Sequence, residues 1–227
     1  MEVAFNKDIA CFYEDWYKSP KGRLVDLLEK DLIERLCQIK TGDKVLEIGC
    51  GTGHFSSYFE ELGGKVVGLD TSFEMLTVAR DKAGNTKVDF KTGNAYALPF
   101  ADREFDLVAM ITTLEFIAEP KKALEEAFRV SKGKIFLGIL NRHSFLAWQR
   151  KRSGKRIWQQ ANFYTLGEVK SLFGKDKKIK WSSALFLPLF NTSLFFRLRL
   201  NLERFLSKFN LPGGAFIGIL AEENKRG

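Results

Sequence analysis

Three glycines spaced by two, Gly49, Gly51 and Gly53, break the stretch Lys44-Val45-Leu46-Glu47-Ile48-Gly49-Cys50-Gly51-Thr52-Gly53-His54-Phe55. It starts as an apolar run and resumes as a helical pattern, so it reads as strand, tight turn and helix. Glycine at such a turn lets bare backbone approach a ligand where a Cβ would collide, and the first N–H groups of a helix favour electronegative atoms. Other residues are spaced to join that turn. Glu47 ends the first apolar run, Asp70 follows the second, Asn94-Ala95 follow the third, and Ile111-Thr112-Thr113 follow the fourth. An acidic residue in the position of Asp70 suits a ribose, because its oxygens can accept from both hydroxyls. An amide such as Asn94 offers a donor and an acceptor to an adenine edge. The chemistry these types point to is nucleoside binding.

Such residues work together only if the elements carrying them end side by side. The hydrophobic pattern predicts strands over 44–48, 65–69, 88–90, 105–111 and 134–140, then two more over 177–186 and 215–221. Helices are predicted between them. The first runs over 24–40, after an aromatic-rich arm or short helix over 5–20 containing Tyr13 and Tyr17. Others cover 53–62, 73–83 (capped by Thr71 or Ser72), 120–130 (opened by Pro120), 165–173 and 193–209. Strands alternating with helices make an α/β domain with a mostly parallel sheet. In that fold the strand ends share one edge, where ligands bind at the topological switch point. The last two strands are close enough in sequence to pair antiparallel. Residues 141–163 break the pattern, being polar, basic and aromatic, with Trp148, Trp158 and Phe163 among Arg142, His143, Arg150, Lys151 and Arg152.

The bulk numbers fit one domain of 227 residues, 45% hydrophobic and 28% charged. Three cysteines, Cys11, Cys37 and Cys50, have no paired or metal-like spacing, so no disulfide framework or metal site is expected. Without a secretory leader pattern or an apolar run of membrane-spanning length, the expected location is cytoplasmic. Charge is uneven. Residues 1–120 carry 14 Lys+Arg against 21 Asp+Glu, and the rest carry 22 against 7, so the C-terminal half alone is strongly basic. That asymmetry suits an anionic partner such as RNA, or a solvated face.

With these residues in order, the chain resembles a class I S-adenosylmethionine-dependent methyltransferase, in the small-molecule branch of the ubiquinone/menaquinone C-methyltransferases. Val45–Gly53 matches that family's first motif. Val67-Gly68-Leu69-Asp70-Thr71-Ser72, with Met75-Leu76 and Ala79-Arg80, matches the second. Gly93-Asn94-Ala95, Leu98-Pro99-Phe100 and Phe105-Asp106-Leu107-Val108 match the third. The match covers residues 41–140. The resemblance implies a Rossmann-like seven-stranded sheet, order 3-2-1-4-5-7-6, with strand 7 antiparallel and helices on both faces. It implies that 1–227 is a single methyltransferase domain, with 1–40 as a helical cap and 141–165 as a substrate-side cover.

The resemblance also implies roles. Gly49 and Gly51 would line the amino-acid portion of S-adenosylmethionine, which leaves as S-adenosylhomocysteine, and Glu47 would orient the turn or the amino group. Asp70 would hold the ribose, Thr71 and Met75 would flank the adenine, and Asn94 and Ala95 would touch its edge. Ile111 would lie near the methionyl part, and Tyr17, with Tyr13, would close over the cofactor. No base is assigned; Glu115 and His143 are the candidates. Cys50 is read as a small turn residue. The acceptor would be a small molecule, aromatic or lipid-like, and the protein a monomer or homodimer. The rivals are an RNA methyltransferase and a non-catalytic binder of the same cofactor. A nicotinamide dehydrogenase is disfavoured, because its G-x-G-x-x-G turn needs glycine where His54 stands.

Overall fold

Val45, Leu46 and Ile48 alternate in direction along an extended chain, so a strand made of them must be covered on both faces. That strand, β1 (Lys44–Ile48), is followed by β2 (Lys65–Asp70), β3 (Asp89–Thr92), β4 (Leu107–Ile111), β5 (Lys134–Leu140), β6 (Lys177–Ala184) and β7 (Phe216–Glu223). The computed structural model describes residues 5–84, 86–174, 176–189 and 196–223. It joins the strands in one sheet, β3-β2-β1-β4-β5-β7-β6. β1 lies parallel between β2 and β4, with Leu46 opposite both Val67 and Val108. β7 runs antiparallel between β5 and β6, placing Gly218 opposite both Gly138 and Ser182. The order and the reversed seventh strand agree with the resemblance.

The helices are α1 (Lys7–Lys18), α2 (Pro20–Cys37), α3 (His54–Glu61), α4 (Phe73–Ala83), α5 (Pro120–Val130), α6 (Phe145–Arg152), α7 (Arg156–Gln160), α8 (Leu166–Leu172) and α9 (Phe196–Leu206). Strand parity sorts them. Leu46, Ile48, Val108, Met110, Ile135 and Leu137 pack with Leu124 and Ala127 of α5 and Val169 of α8. Their neighbours Val45, Leu107, Ala109, Ile111 and Phe136 point the other way, onto Leu24, Leu28 and Ile33 of α2 and Phe55 and Phe59 of α3. β6 closes the sheet as an edge strand, with Lys178 and Lys180 exposed or partly exposed along it, a pattern that discourages further strand pairing.

Local chemistry sets the boundaries. Ser19 caps α2 by accepting from Gly22 N at 3.0 Å, with Pro20 as its first residue. Ser72, rather than Thr71, caps α4 by accepting from Met75 N at 3.1 Å. Thr165 and Glu168 form a reciprocal capping box on α8. β6 stops at Ala184, short of Phe186, because Leu185 turns to φ 66 and the Glu203 carboxylate takes the N–H groups of Phe186 and Leu187. Of the helix predicted over 193–209, residues 193–195 lie outside the described residues. The segment after β5, with no element assigned from its pattern, forms two short helices. Ser144 caps α6, and Leu140, Ala147, Trp158, Ala161 and Phe163 make a small core of their own.

Candidate functional site

The glycine turn is shaped from two sides. The Leu69 carbonyl of β2 accepts from the N–H groups of Gly49 and Cys50 at 2.7 and 3.1 Å. A Cβ on Gly49 would overlap Thr113 Cγ2 and stand 2.6 Å from its Oγ1, at a φ of +72 that side chains rarely adopt. Gly51 differs: its φ is +54, yet nothing lies within 4 Å of where its Cβ would be. The first glycine makes room for protein, and the second presents bare backbone to open space.

Asp70 ties this turn to the end of β2. Its Oδ2 accepts from Gly51 N at 2.8 Å and its Oδ1 from Ser72 N at 2.9 Å. Burial pushes its carboxyl upward, and the N–H groups of Ser72, Gly51 and Thr71 pull it back part of the way. Glu47 is almost wholly enclosed at the end of β1 and accepts from Ser56 Oγ. Burial raises it to about 8, the Ser56 bond opposes the rise, and Asp70 adds to it. Cys50 is a buried thiol pushed well above the usual range by burial, so it is held protonated.

These residues open onto a cavity of about 260 Å³ at the strand ends. All ten positions singled out for the cofactor line it: Tyr17, Glu47, Gly49, Gly51, Asp70, Thr71, Met75, Asn94, Ala95 and Ile111. Asn94 spends its Oδ1 on Tyr96 N, 2.9 Å away, as part of its own turn. The two candidate bases are elsewhere. Glu115 is fully buried beneath the wall, where one oxygen accepts from Leu140 N at 2.6 Å and the other has no hydrogen-bond partner among the described residues. His143 is exposed, and it is not among the lining residues.

Tyr17 stacks on His54, and Glu14 of α1 accepts from Thr52 Oγ1 at 2.7 Å, so the N-terminal helix is tied directly to the glycine turn. Phe5 meets Phe116 edge to face, 5.1 Å between centroids. From the opposite end of the sequence, Lys155 sits 4.1 Å over the ring of Phe12. Residues before β1 and after β5 therefore meet, and Tyr13 and Tyr17 of the first group and Arg150 and Trp158 of the second line the cavity.

Two charged lining residues escaped the sequence reading. Glu29 of α2 is 6% exposed and reaches the cavity from the N-terminal helices. Its spacing was a usable signal: Val25, Glu29 and Ile33 recur every four residues, so a carboxylate interrupts the stripe that packs on the sheet. Arg150 of α6 reaches the cavity from the other side, its guanidinium carbon 4.4 Å from the Trp158 ring centroid. Trp158, one of the aromatics of the 141–163 segment, lines the cavity. Trp148 is exposed, and Phe163 is packed in the small core with Leu140, Ala147 and Ala161.

Comparison with known proteins agrees with this geometry. A family profile described as a methyltransferase domain matches residues 46–137. An uncharacterised protein of Methanocaldococcus jannaschii is 36% identical over 180 residues, 77% of this chain and 82% of that protein. The demethylmenaquinone methyltransferase of Renibacterium salmoninarum is 41% identical over 106 residues, and the match spans 46% of this chain and 44% of that enzyme. Among solved structures, a Thermotoga maritima S-adenosylmethionine-dependent methyltransferase, described as a possible histamine N-methyltransferase, superposes with a TM-score of 0.75. It is 26% identical and covers 96% of this chain and 98% of its own.

The wall suits that cofactor. Gly51 leaves open space for an atom to pack against backbone, Asp70 offers carboxylate oxygens beside it, and Met75, Ala95 and Ile111 supply apolar surface for a base and a thioether chain. When bound, S-adenosylmethionine supplies an activated methyl group on a sulfonium that leaves as a neutral thioether. With the strand order, the sequence relatives and the full-length structural match all in accord, the chain belongs to the class I S-adenosylmethionine-dependent methyltransferases.

Proposed function

We propose that this chain methylates a small molecule, aromatic or lipid-like, held between a cap formed by residues 1–40 and a cover formed by 141–165. The observation that carries this reading is that Tyr13 and Tyr17 of the cap and Arg150 and Trp158 of the cover line one cavity, with cap and cover also touching through Lys155 on Phe12. A chamber roofed in that way suits a compact acceptor better than a polymer. Its walls at that end, Tyr13, Phe116, Leu140 and Trp158, are aromatic or apolar. The printed names of the Renibacterium and Thermotoga relatives, demethylmenaquinone and possible histamine methyltransferase, also point to small acceptors.

In this reading Gly49, Gly51, Asp70, Thr71, Met75, Asn94, Ala95 and Ile111 hold the cofactor, and Glu47 and Tyr17 orient its amino-acid end. The chain's own contribution is mainly alignment. Holding acceptor and methyl donor in line replaces a chance encounter, and the good leaving group needs no further activation. Neither Glu115 nor His143 lines the chamber, so neither is placed as the base. The three cysteines are free thiols, which fits a reducing, cytoplasmic setting. Among the described residues, no helix is long and apolar enough to cross a membrane.

The basic C-terminal half is less available to nucleic acid than its charge suggests. Arg129, Lys132, Arg142, Lys177, Lys180 and Arg204 all sit in ion pairs. Incubation with methyl-labelled S-adenosylmethionine and a cell extract split into metabolites and RNA tests the reading. Label in the metabolite fraction is expected. Label confined to RNA would replace this function, and no transfer to any fraction would favour a non-catalytic binder.

A further inference from the structure

We infer that Arg150, lying on the face of Trp158, and Glu29 from the cap form the acceptor subsite, and that the acceptor is a flat molecule bearing an anionic oxygen group. This deepens the methyltransferase reading and depends on it.

Arg150 is the starting point. A guanidinium carries five N–H donors and keeps its charge at any ordinary pH. Here it is partly buried at the cavity wall, its guanidinium lies on the Trp158 ring, and it makes no side-chain hydrogen bond among the described residues. No carboxylate of those residues lies within ion-pair distance of it. Burial lowers its proton affinity, and Glu29, Tyr13 and Glu115 oppose that only when ionised, without forming a bond to it. A partly buried guanidinium without a protein acceptor gives up part of its hydration, and a ligand that brings an acceptor recovers that cost.

The surrounding groups decide the sign of that ligand. Burial raises Glu29 to about 8, with Arg150 opposing the rise, and burial raises Glu115 to about 7. Near neutral pH, Glu29 is therefore mostly an uncharged carboxyl that can donate a hydrogen bond. Glu115 is sealed below the wall and engaged by Leu140 N. The charge left facing the chamber at this end is that of Arg150. A cationic amine would have to settle beside it, whereas a carboxylate or phenolate oxygen supplies the missing acceptor and can take a second bond from Glu29. Trp158, Phe116 and Tyr13 give a flat π-system surfaces to pack on.

The test uses the full chain and two probes of one shape and opposite charge, 2-hydroxybenzoate and 2-hydroxybenzylamine. Each is titrated calorimetrically into protein saturated with S-adenosylhomocysteine. The acid is expected to bind at least about tenfold tighter than the amine. Arg150→Gln is expected to remove that preference while leaving S-adenosylhomocysteine affinity within about twofold, and Arg150→Lys to retain part of it. Should Arg150→Gln fail to fold, Trp158→Phe and Arg150→Lys carry the comparison. Equal or tighter binding of the amine, no binding of the acid at millimolar concentration, or an acid affinity unmoved by Arg150→Gln would overturn the subsite. Failure of S-adenosylhomocysteine itself to bind would remove the methyltransferase reading and the subsite with it, and the first titration reports that separately.

Discussion

The Tyr17 ring lies flat on the His54 imidazole, centroids 3.8 Å apart and planes 11° from parallel. His54 opens α3 just after the last turn glycine, and its Nε2 is 2.6 Å from Asp26 Oδ1 of α2. One stack and one hydrogen bond thus join the first three helices at the cofactor turn. The Tyr17 hydroxyl makes no hydrogen bond among the described residues, so its ring carries the contact. Tyr17→Ala is expected to weaken S-adenosylhomocysteine binding about tenfold, the scale of a lost aromatic pair, and Tyr17→Phe to stay within about threefold. Calorimetric titration reads both, and equal losses in the two variants would contradict a role for the stack.

Gly49 faces Thr113 with no room for a Cβ. Gly49→Ala is expected to reduce cofactor affinity at least about a hundredfold, because either the turn or Thr113 must move. Gly49→Ala combined with Thr113→Ala should recover part of the loss, since the Cγ2 and Oγ1 clashes go while the positive φ remains. Cofactor titrations of the single and double variants give the coupling. No recovery would mean that backbone strain alone sets the cost.

How much of this was readable beforehand follows from how local each signal is. The strand, turn and helix around Gly49–Gly53, and Asp70 at the end of the next strand, are set by short-range pattern and stood out. The helix start at Ser72 was one of two choices, because Thr71 and Ser72 both make good caps. The order of the strands came from family likeness, since pairing between distant segments leaves no local trace. Glu29 was visible as a charge on an apolar stripe, yet such a residue is ordinarily solvated. Arg150 sits in a run of basic residues that resembles a solvated face. Its burial depends on α6 lying beside Trp158 and on sharing a cavity wall with Tyr13 and Glu29, which are more than a hundred residues away in the chain.

Stability should be greatest in mildly acidic solution. Burial raises Glu29 and Glu47 to about 8 and Glu115 to about 7, while an unfolded glutamate titrates near about 4.3. Between those values the folded chain holds more protons than the unfolded one. The stability these groups contribute is therefore full below about 4.3 and is lost as pH rises through the raised values. Glu126 works in the opposite sense. Its hydrogen bonds with Arg129 hold it at about 2, so its contribution is present above about 4.3 and lost as pH falls through that lower value. Thermal unfolding from pH 3 to 9 should peak at about pH 4.3 and decline toward 8. Glu29→Gln should flatten the alkaline decline, and an unchanged slope would show that Glu29 is not buried as described.

Asp70 binds Gly51 N at 2.8 Å and lines the same chamber as Asn94, so it is the residue through which the turn and the second strand act together. Titration of S-adenosylhomocysteine into the wild-type chain and Asp70→Ala, with unfolding midpoints measured alongside, tests the central claim most directly. Single-site binding in the wild type is expected, weakened by about a hundredfold or more in Asp70→Ala, which should still unfold cooperatively. No binding to the wild type at millimolar concentration, or equal binding by both proteins, would contradict the assignment of this chamber as the cofactor site.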